Sequence, residues 1–254
     1  MKAFIGRIVL GFVVLGLMGA HARAGFTYVV PPANTNTSGT GASFTLGTFD
    51  YTGQQDYGAS LLSGLPMGAI IDGFSLRLAA GQSTMTSAFS SSHFDISIGP
   101  SAFPPGSLSA STAGNQGPGT VLARSGPITF PANSFVGGAN PNPFGPLISF
   151  TTPYTYTGGD LLLTFSDTAF STALVFDAQS NLFSTAQGAQ NLGVFNSSTV
   201  PQSVPGFALI VQFDYTLASA AVPEPSSLTL SGLSVLAGLA HWCFGRRRTR
   251  AAAL

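Results

Sequence analysis

Apolar and polar residues alternate through most of the middle of this chain. Between residues 207 and 217, Phe207, Leu209, Val211, Phe213, Tyr215 and Leu217 take every second position, with Ala208, Ile210, Gln212, Asp214 and Thr216 between them. A period of two puts successive side chains on opposite faces, so this run predicts one long strand with a face in the core. Phe94-Asp95-Ile96-Ser97-Ile98 and Phe74-Ser75-Leu76-Arg77-Leu78 repeat the alternation in shorter form. Segments 161–165 and 173–176 are more continuously apolar, the pattern of strands buried on both sides. Weaker strand signals fall at 27–30, 43–46, 121–123, 128–130 and 147–150. Between residues 25 and 222 no segment carries a helical stripe of useful length.

Turn chemistry separates these runs. Gly158-Gly159-Asp160 sits between Tyr154-Thr155-Tyr156 and the run starting at Leu161, which predicts a hairpin because glycine accepts positive φ. Residues 100–119 and 139–146 are Pro- and Gly-rich loops, too long for simple turns. Eight to ten strands with irregular connections predict an all-β fold, an antiparallel β-sandwich of jelly-roll-like type. No repeat of fixed period is visible, which argues against a β-helix.

The pattern changes at both ends. Lys2 and Arg7 precede an apolar run at 8–18, and Ala22-Arg23-Ala24 supplies an A-x-A cleavage pattern before Gly25, so residues 1–24 read as a secretory signal peptide. At the other end, Val222-Pro223-Glu224-Pro225-Ser226-Ser227 is followed by an apolar stretch at 228–244 and then by Arg246-Arg247-Arg248-Thr249-Arg250. As a helix the apolar stretch would rise about 25 Å, at the short end of a membrane span. Arg246, Arg247, Arg248 and Arg250 cross a bilayer only at high cost and should stay on the cytoplasmic side, leaving the rest of the chain outside. Pro223 and Pro225 fix φ and remove backbone donors, so the motif should be extended and exposed to a processing enzyme. The division is therefore a signal peptide (1–24), a β-sandwich body (25–217), a linker with the Pro-Glu-Pro motif (218–227), a transmembrane helix (228–244) and a basic tail (245–254).

Pro223-Glu224-Pro225, a short apolar span and an arginine cluster, in that order, resemble the PEP-CTERM sorting signal, a C-terminal domain also labelled ice-binding protein C-terminal domain. The resemblance covers residues 222–250. It implies recognition near the motif by an exosortase-type membrane transpeptidase, and a role at the cell surface or in extracellular polysaccharide and biofilm, often with Ser/Thr glycosylation. The alternative for these residues is an ordinary C-terminal membrane anchor behind a proline-containing linker. The ice-binding label does not extend to the body: Thr35/Thr37/Thr40 and Thr84/Thr86 are too short and irregular for a flat threonine array.

Setting the ends aside changes the charge. The whole chain is formally neutral, but residues 25–222 hold eight aspartates against Arg77 and Arg124, a net charge of −6, with no lysine or glutamate. Such a surface repels phosphates, which excludes a nucleic-acid partner. The single cysteine, Cys243, lies in the tail, so the body must hold together without disulfides.

Catalytic inventory is thin. His93 is the body's one histidine, with Asp95 two residues on, but no G-x-S-x-G elbow accompanies them, so a surface histidine is the simpler reading. Paired carboxylates for glycoside hydrolysis are available by number but sit in no recognisable motif. The expectation is a protein without enzymatic activity, with glycoside hydrolase or esterase as the least favoured class. For binding, Asp50 and Asp56 flank Tyr51-Thr52-Gly53-Gln54-Gln55 and form the one candidate cluster for a calcium cofactor, although no D-x-D-x-D-G loop is present. Tyr51, Tyr57, Tyr154 and Tyr156 are candidates for stacking on sugars, a case weakened because Trp242, the only tryptophan, lies in the tail. The reading is an exported surface or matrix protein with a structural or interaction role, membrane-anchored before processing. Its alternative is a carbohydrate- or calcium-binding adhesion module.

Overall fold

The alternating segments form antiparallel ladders in a computed structural model of the chain, which describes residues 25–40, 42–182, 188–195 and 202–218. The signal peptide and the tail from 219 onward lie outside the described residues. In chain order the strands are β1 Gly25–Val30, β2 Ala42–Leu46, β3 Tyr51–Tyr57, β4 Ala69–Leu76, β5 Phe89–Ser91, β6 Phe94–Pro100 and β7 Val121–Arg124. They continue as β8 Ile128–Phe130, β9 Ile148–Thr155, β10 Leu161–Asp167, β11 Leu174–Leu182, β12 Ala189–Phe195, β13 Gln202–Leu209 and β14 Val211–Leu217. The helical elements among the described residues are three short 3-10 turns.

A four-stranded sheet has the order β1-β14-β4-β9, an eight-stranded sheet the order β2-β11-β13-β12-β3-β10-β6-β7, and β5 pairs with β8 in a small ribbon. The pairings are antiparallel. Aromatic side chains join the two large sheets, as in a β-sandwich. Phe74 of β4 meets Phe165 of β10 edge-on at 6.0 Å, and Tyr57 of β3 meets Phe213 of β14 at 6.4 Å. Tyr57 Oη also donates to the Leu209 carbonyl at 2.7 Å, so a polar tip deep in the core is satisfied. A second group of rings closes one end: Phe89 stacks on Phe170 at 4.2 Å, and Phe135 lies between Phe130 and Phe176. These rings belong to one buried hydrophobic core that spans both large sheets.

Two expectations need correction. The run at 207–217 is not one strand: β13 belongs to the large sheet and β14 to the small one. Ile210 is the crossing point, its N–H donating to the Asp177 carbonyl at 3.0 Å. Ala208, Leu209, Ile210 and Val211 are all buried there, because a chain changing sheets at a corner is covered from both sides. Likewise, Gly158 and Gly159, with φ of 91° and 81°, do not close a hairpin. They carry the chain from β9 in the small sheet to β10 in the large one.

β1 and β14 are neighbours with Gly25 opposite Thr216. The first described residue and the end of the last strand therefore leave the same end of the same sheet.

Candidate functional site

Register decides which carboxylates meet. β3 and β10 pair with Tyr57 opposite Leu161 and Tyr51 opposite Asp167. Asp50, just before β3, thus comes to the end of β10 where Asp167 sits, and Asp56, near the end of β3, comes to Asp160 before β10. Six residues of extended chain separate Asp50 from Asp56, about 20 Å. The pair expected to share a calcium ion therefore stands at opposite ends of one strand, and the two cannot ligate one ion together. A third pair, Asp72 and Asp214, lies near the β4–β14 bulge. Burial and then the Asp72 charge raise the Asp214 carboxyl above the usual carboxylate range.

Asp56 lies on the face of the large sheet turned away from the sandwich core, yet it is fully buried. The cover is the 101–120 loop, held down by amide side chains that rise from the sheet. Gln54 Nε2 donates to the Thr112 carbonyl at 2.7 Å, and Asn115 Nδ2 donates to Gln54 Oε1 at 2.8 Å. The N–H groups of Gly106 and Leu108 both donate to Gln190 Oε1, at 2.9 and 3.0 Å. Gly99 permits this close approach, since a Cβ there would stand 2.5 Å from Thr120 Cα.

Neither oxygen of Asp56 meets a hydrogen-bond partner of good geometry. The Ser101 hydroxyl and the Tyr57 amide lie close enough to ease its ionisation slightly. The Ser101 proton is directed instead to the Phe103 carbonyl at 2.7 Å. Burial, reinforced by the charge of Asp160, pushes the Asp56 carboxyl up to about 8. Asp160 is anchored beside it: Oδ1 accepts the Ala59 N–H at 2.7 Å, and its carbonyl accepts the Ser101 N–H at 3.2 Å. Asp167 repeats the condition at the far end of the strand pair. Both its oxygens are buried without hydrogen bonds, and burial followed by the Asp50 charge pushes it up to about 8. Asp50 itself is exposed and accepts the Ala169 N–H at 2.9 Å.

The two cations among the described residues are both committed elsewhere. Arg77 Nε donates to Asp177 Oδ2 at 2.9 Å in a buried pair, and Asp177 Oδ1 also accepts the Gly39 N–H at 3.0 Å. Arg124 donates to the carbonyls of Phe94, Gly126 and Pro127 beside Asp95. Burial alone would raise Asp95, but hydrogen bonds from Ser125 and Gly126 and the charges of His93 and Arg124 hold it below the usual range.

His93 Nε2 does approach Asp95 Oδ2, at 3.1 Å, with side chains 45% and 22% exposed. Ser91, the nearby serine, places its hydroxyl against the carbonyls of His93 and Thr168 rather than the imidazole ring. The pair is therefore a partly exposed contact between imidazole and carboxylate, without the hydroxyl alignment that a nucleophile needs.

The tyrosines proposed for sugar stacking are core residues instead: Tyr51, Tyr57, Tyr154 and Tyr156 are all buried. An apolar cleft of about 320 Å³ does open elsewhere, lined by Phe44, Phe49, Phe207, Asn191 and Gln202 among others. Of the sorting and processing residues, Gly25 is described, exposed at the start of β1. Ala22, Ala24, Pro223, Glu224, Pro225, Arg246, Arg247, Arg248 and Arg250 lie outside the described residues. Sequence reasoning missed Asp160 and Ser101 as neighbours of Asp56. The available signal was the polarity of Gly53-Gln54-Gln55-Asp56, which becomes informative only once that segment is recognised as a central strand. No family model matches the chain, and no curated protein or solved structure matches it.

Proposed function

We propose that this chain is the precursor of an exported surface or extracellular-matrix protein whose all-β body has a structural or interaction role rather than an enzymatic one. In this reading an exosortase-type transpeptidase acts at Pro223-Glu224-Pro225, with residues 228–244 and the arginines holding the precursor in the membrane until then. The observation that carries it is the order of the last segments: a rigid proline motif, an apolar span and fixed positive charge. The body supports it in two ways. Strands β1 and β14 end side by side, so an amino end released at Gly25 and a carboxyl end leading to the tail would leave one end of the body together. That arrangement turns the opposite end of the sandwich away from the membrane. The body also carries an acidic surface with an aromatic core and no cysteine, a combination that needs no oxidative folding. We describe its architecture as jelly-roll-like in the broad sense that the chain passes repeatedly between two facing antiparallel sheets.

The sorting step is tested by Glu224→Ala in the cells that make the protein. The variant should stay in the membrane fraction at precursor mass, while the unaltered chain leaves it at lower mass. Equal mass and equal membrane retention for the two would leave a plain anchor as the better account. The carbohydrate-binding alternative loses its four tyrosines to the core, and extracellular polysaccharide as a partner then rests on the tail's resemblance alone. The calcium alternative is favoured by a separate observation, taken up next.

A further inference from the structure

Eight aspartates against two arginines leave the body short of positive charge, and both arginines are spoken for. Asp56 is fully buried, and among the described residues neither of its oxygens meets a hydrogen-bond partner of good geometry, although the Ser101 hydroxyl and the Tyr57 amide lie near. Burying a carboxylate without hydrogen bonds or a counter-ion is among the costliest arrangements a fold can hold. Asp56 is balanced in one of two ways, by keeping its proton or by binding a cation from outside the chain.

We propose that Asp56, Asp160 and Ser101 form a calcium-binding site closed by the 101–120 loop. The donors are all oxygens, with no thiol or imidazole at the site, so the chemistry suits a hard cation rather than zinc or copper. Ser101 Oγ gives its proton to Phe103 and keeps its lone pairs for a cation. The β3–β10 register sets Leu162 opposite Asp56, so Asp160, two residues earlier, lies diagonally beside Asp56 on the same face; the two negative charges repel without a cation and hold one between them. Calcium takes six to eight oxygen ligands in adaptable geometry, and two carboxylates with one hydroxyl are too few. The remainder would come from water and from the carbonyls of the covering loop. Magnesium needs stricter octahedral geometry and sheds water reluctantly, so a site roofed by an irregular loop discriminates against it.

The consequence is regulatory as well as structural. Calcium would fasten the loop to the outer face of the large sheet, so the surface presented there would depend on the surrounding calcium concentration. Sites of this kind on extracellular modules have Kd values on the order of 10⁻⁴–10⁻³ M. The inference does not rest on the sorting reading, because it is tested on purified protein whatever its route of export.

The experiment uses the full chain, purified in mild detergent and stripped with a calcium chelator. Titration with calcium chloride should give one site per chain by calorimetry. The melting temperature should rise by about 3–6 °C at a calcium concentration about tenfold above Kd. Magnesium chloride at the same concentration should give little shift. Asp56→Asn should abolish both the heat and the shift, Asp160→Asn should weaken binding at least about tenfold, and Asp214→Asn, which removes a charge elsewhere, should leave binding intact. Independently of any variant, calcium should slow amide hydrogen exchange in residues 101–120 of the unaltered chain. The proposal is overturned by an absence of binding up to about tenfold above the upper end of that Kd range, by equal responses to magnesium and calcium, by Asp56→Asn binding like the unaltered chain, or by exchange in 101–120 that calcium leaves unchanged.

Discussion

Asp167 shows how one residue imposes a pH dependence on the whole fold. It lies buried at the end of β10, with Asp50 and Tyr51 nearby, and burial followed by the Asp50 charge raises its carboxyl to about 8. In the unfolded chain the same group loses its proton near pH 4. Between those values the folded state binds more protons than the unfolded one, so this contribution to stability is complete below about pH 4. It is lost progressively as pH rises through about 8. Asp167→Asn keeps the shape and removes the titration. The melting temperature of the unaltered chain should therefore fall between pH 5 and pH 9 more steeply than that of the variant, with the variant ahead at pH 9. Parallel pH profiles for the two would mean that Asp167 ionises freely in the folded protein.

Between elements, the most consequential polar contact is the buried pair of Arg77, just past β4, and Asp177 in β11. Through Thr37 and Gly39 the pair also fixes the segment between β1 and β2, and the Arg77 guanidinium packs 5.0 Å from the Phe144 ring centroid. Removing one partner strands the other charge in the interior, which costs about 3–5 kcal/mol, whereas replacing both by apolar residues is often close to neutral. Arg77→Met should thus shift the urea midpoint strongly downward, and Arg77→Met combined with Asp177→Leu should recover most of the loss. Additive losses in the double variant would mean that the two charges are not energetically coupled in the fold.

Elements also mark what could be read from the chain alone. β6, β8 and β1 were legible because each alternates apolar and polar residues, or is short and apolar, between turn residues. β3 was not legible, although it is a central strand, because Gln54, Gln55 and Asp56 look like a loop. They are buried on both faces only because the 101–120 loop roofs the outer side and the core takes the inner. Gln55 gives its amide to the Gln190 and Phe207 carbonyls and accepts the Leu209 N–H, contacts more than a hundred residues away in sequence. The same long range explains the site. Asp50 and Asp56 are close in sequence and far apart in space, and strand pairing alone brings each to its real neighbour. Local pattern also missed the passages between sheets at Ile210 and at Gly158-Gly159, since a period of two continues unchanged across a corner.

For the molecule as a whole, charge and chain ends point the same way. Seven basic residues at the two ends, Lys2, Arg7 and Arg23 in front and four arginines in the tail, mask an acidic body, and the body's two ends leave one sheet side by side. In the proposed sorting reading, the segments that would carry the body out of the cytoplasm sit at its two ends. The most direct test is the intact mass of the protein recovered from the surface and medium of the cells that make it. The account predicts a chain beginning at Gly25 and shortened near Pro223-Glu224-Pro225, without the arginine cluster. A chain retaining residues 1–24 and the arginines through residue 254, found inside the cell, would contradict it.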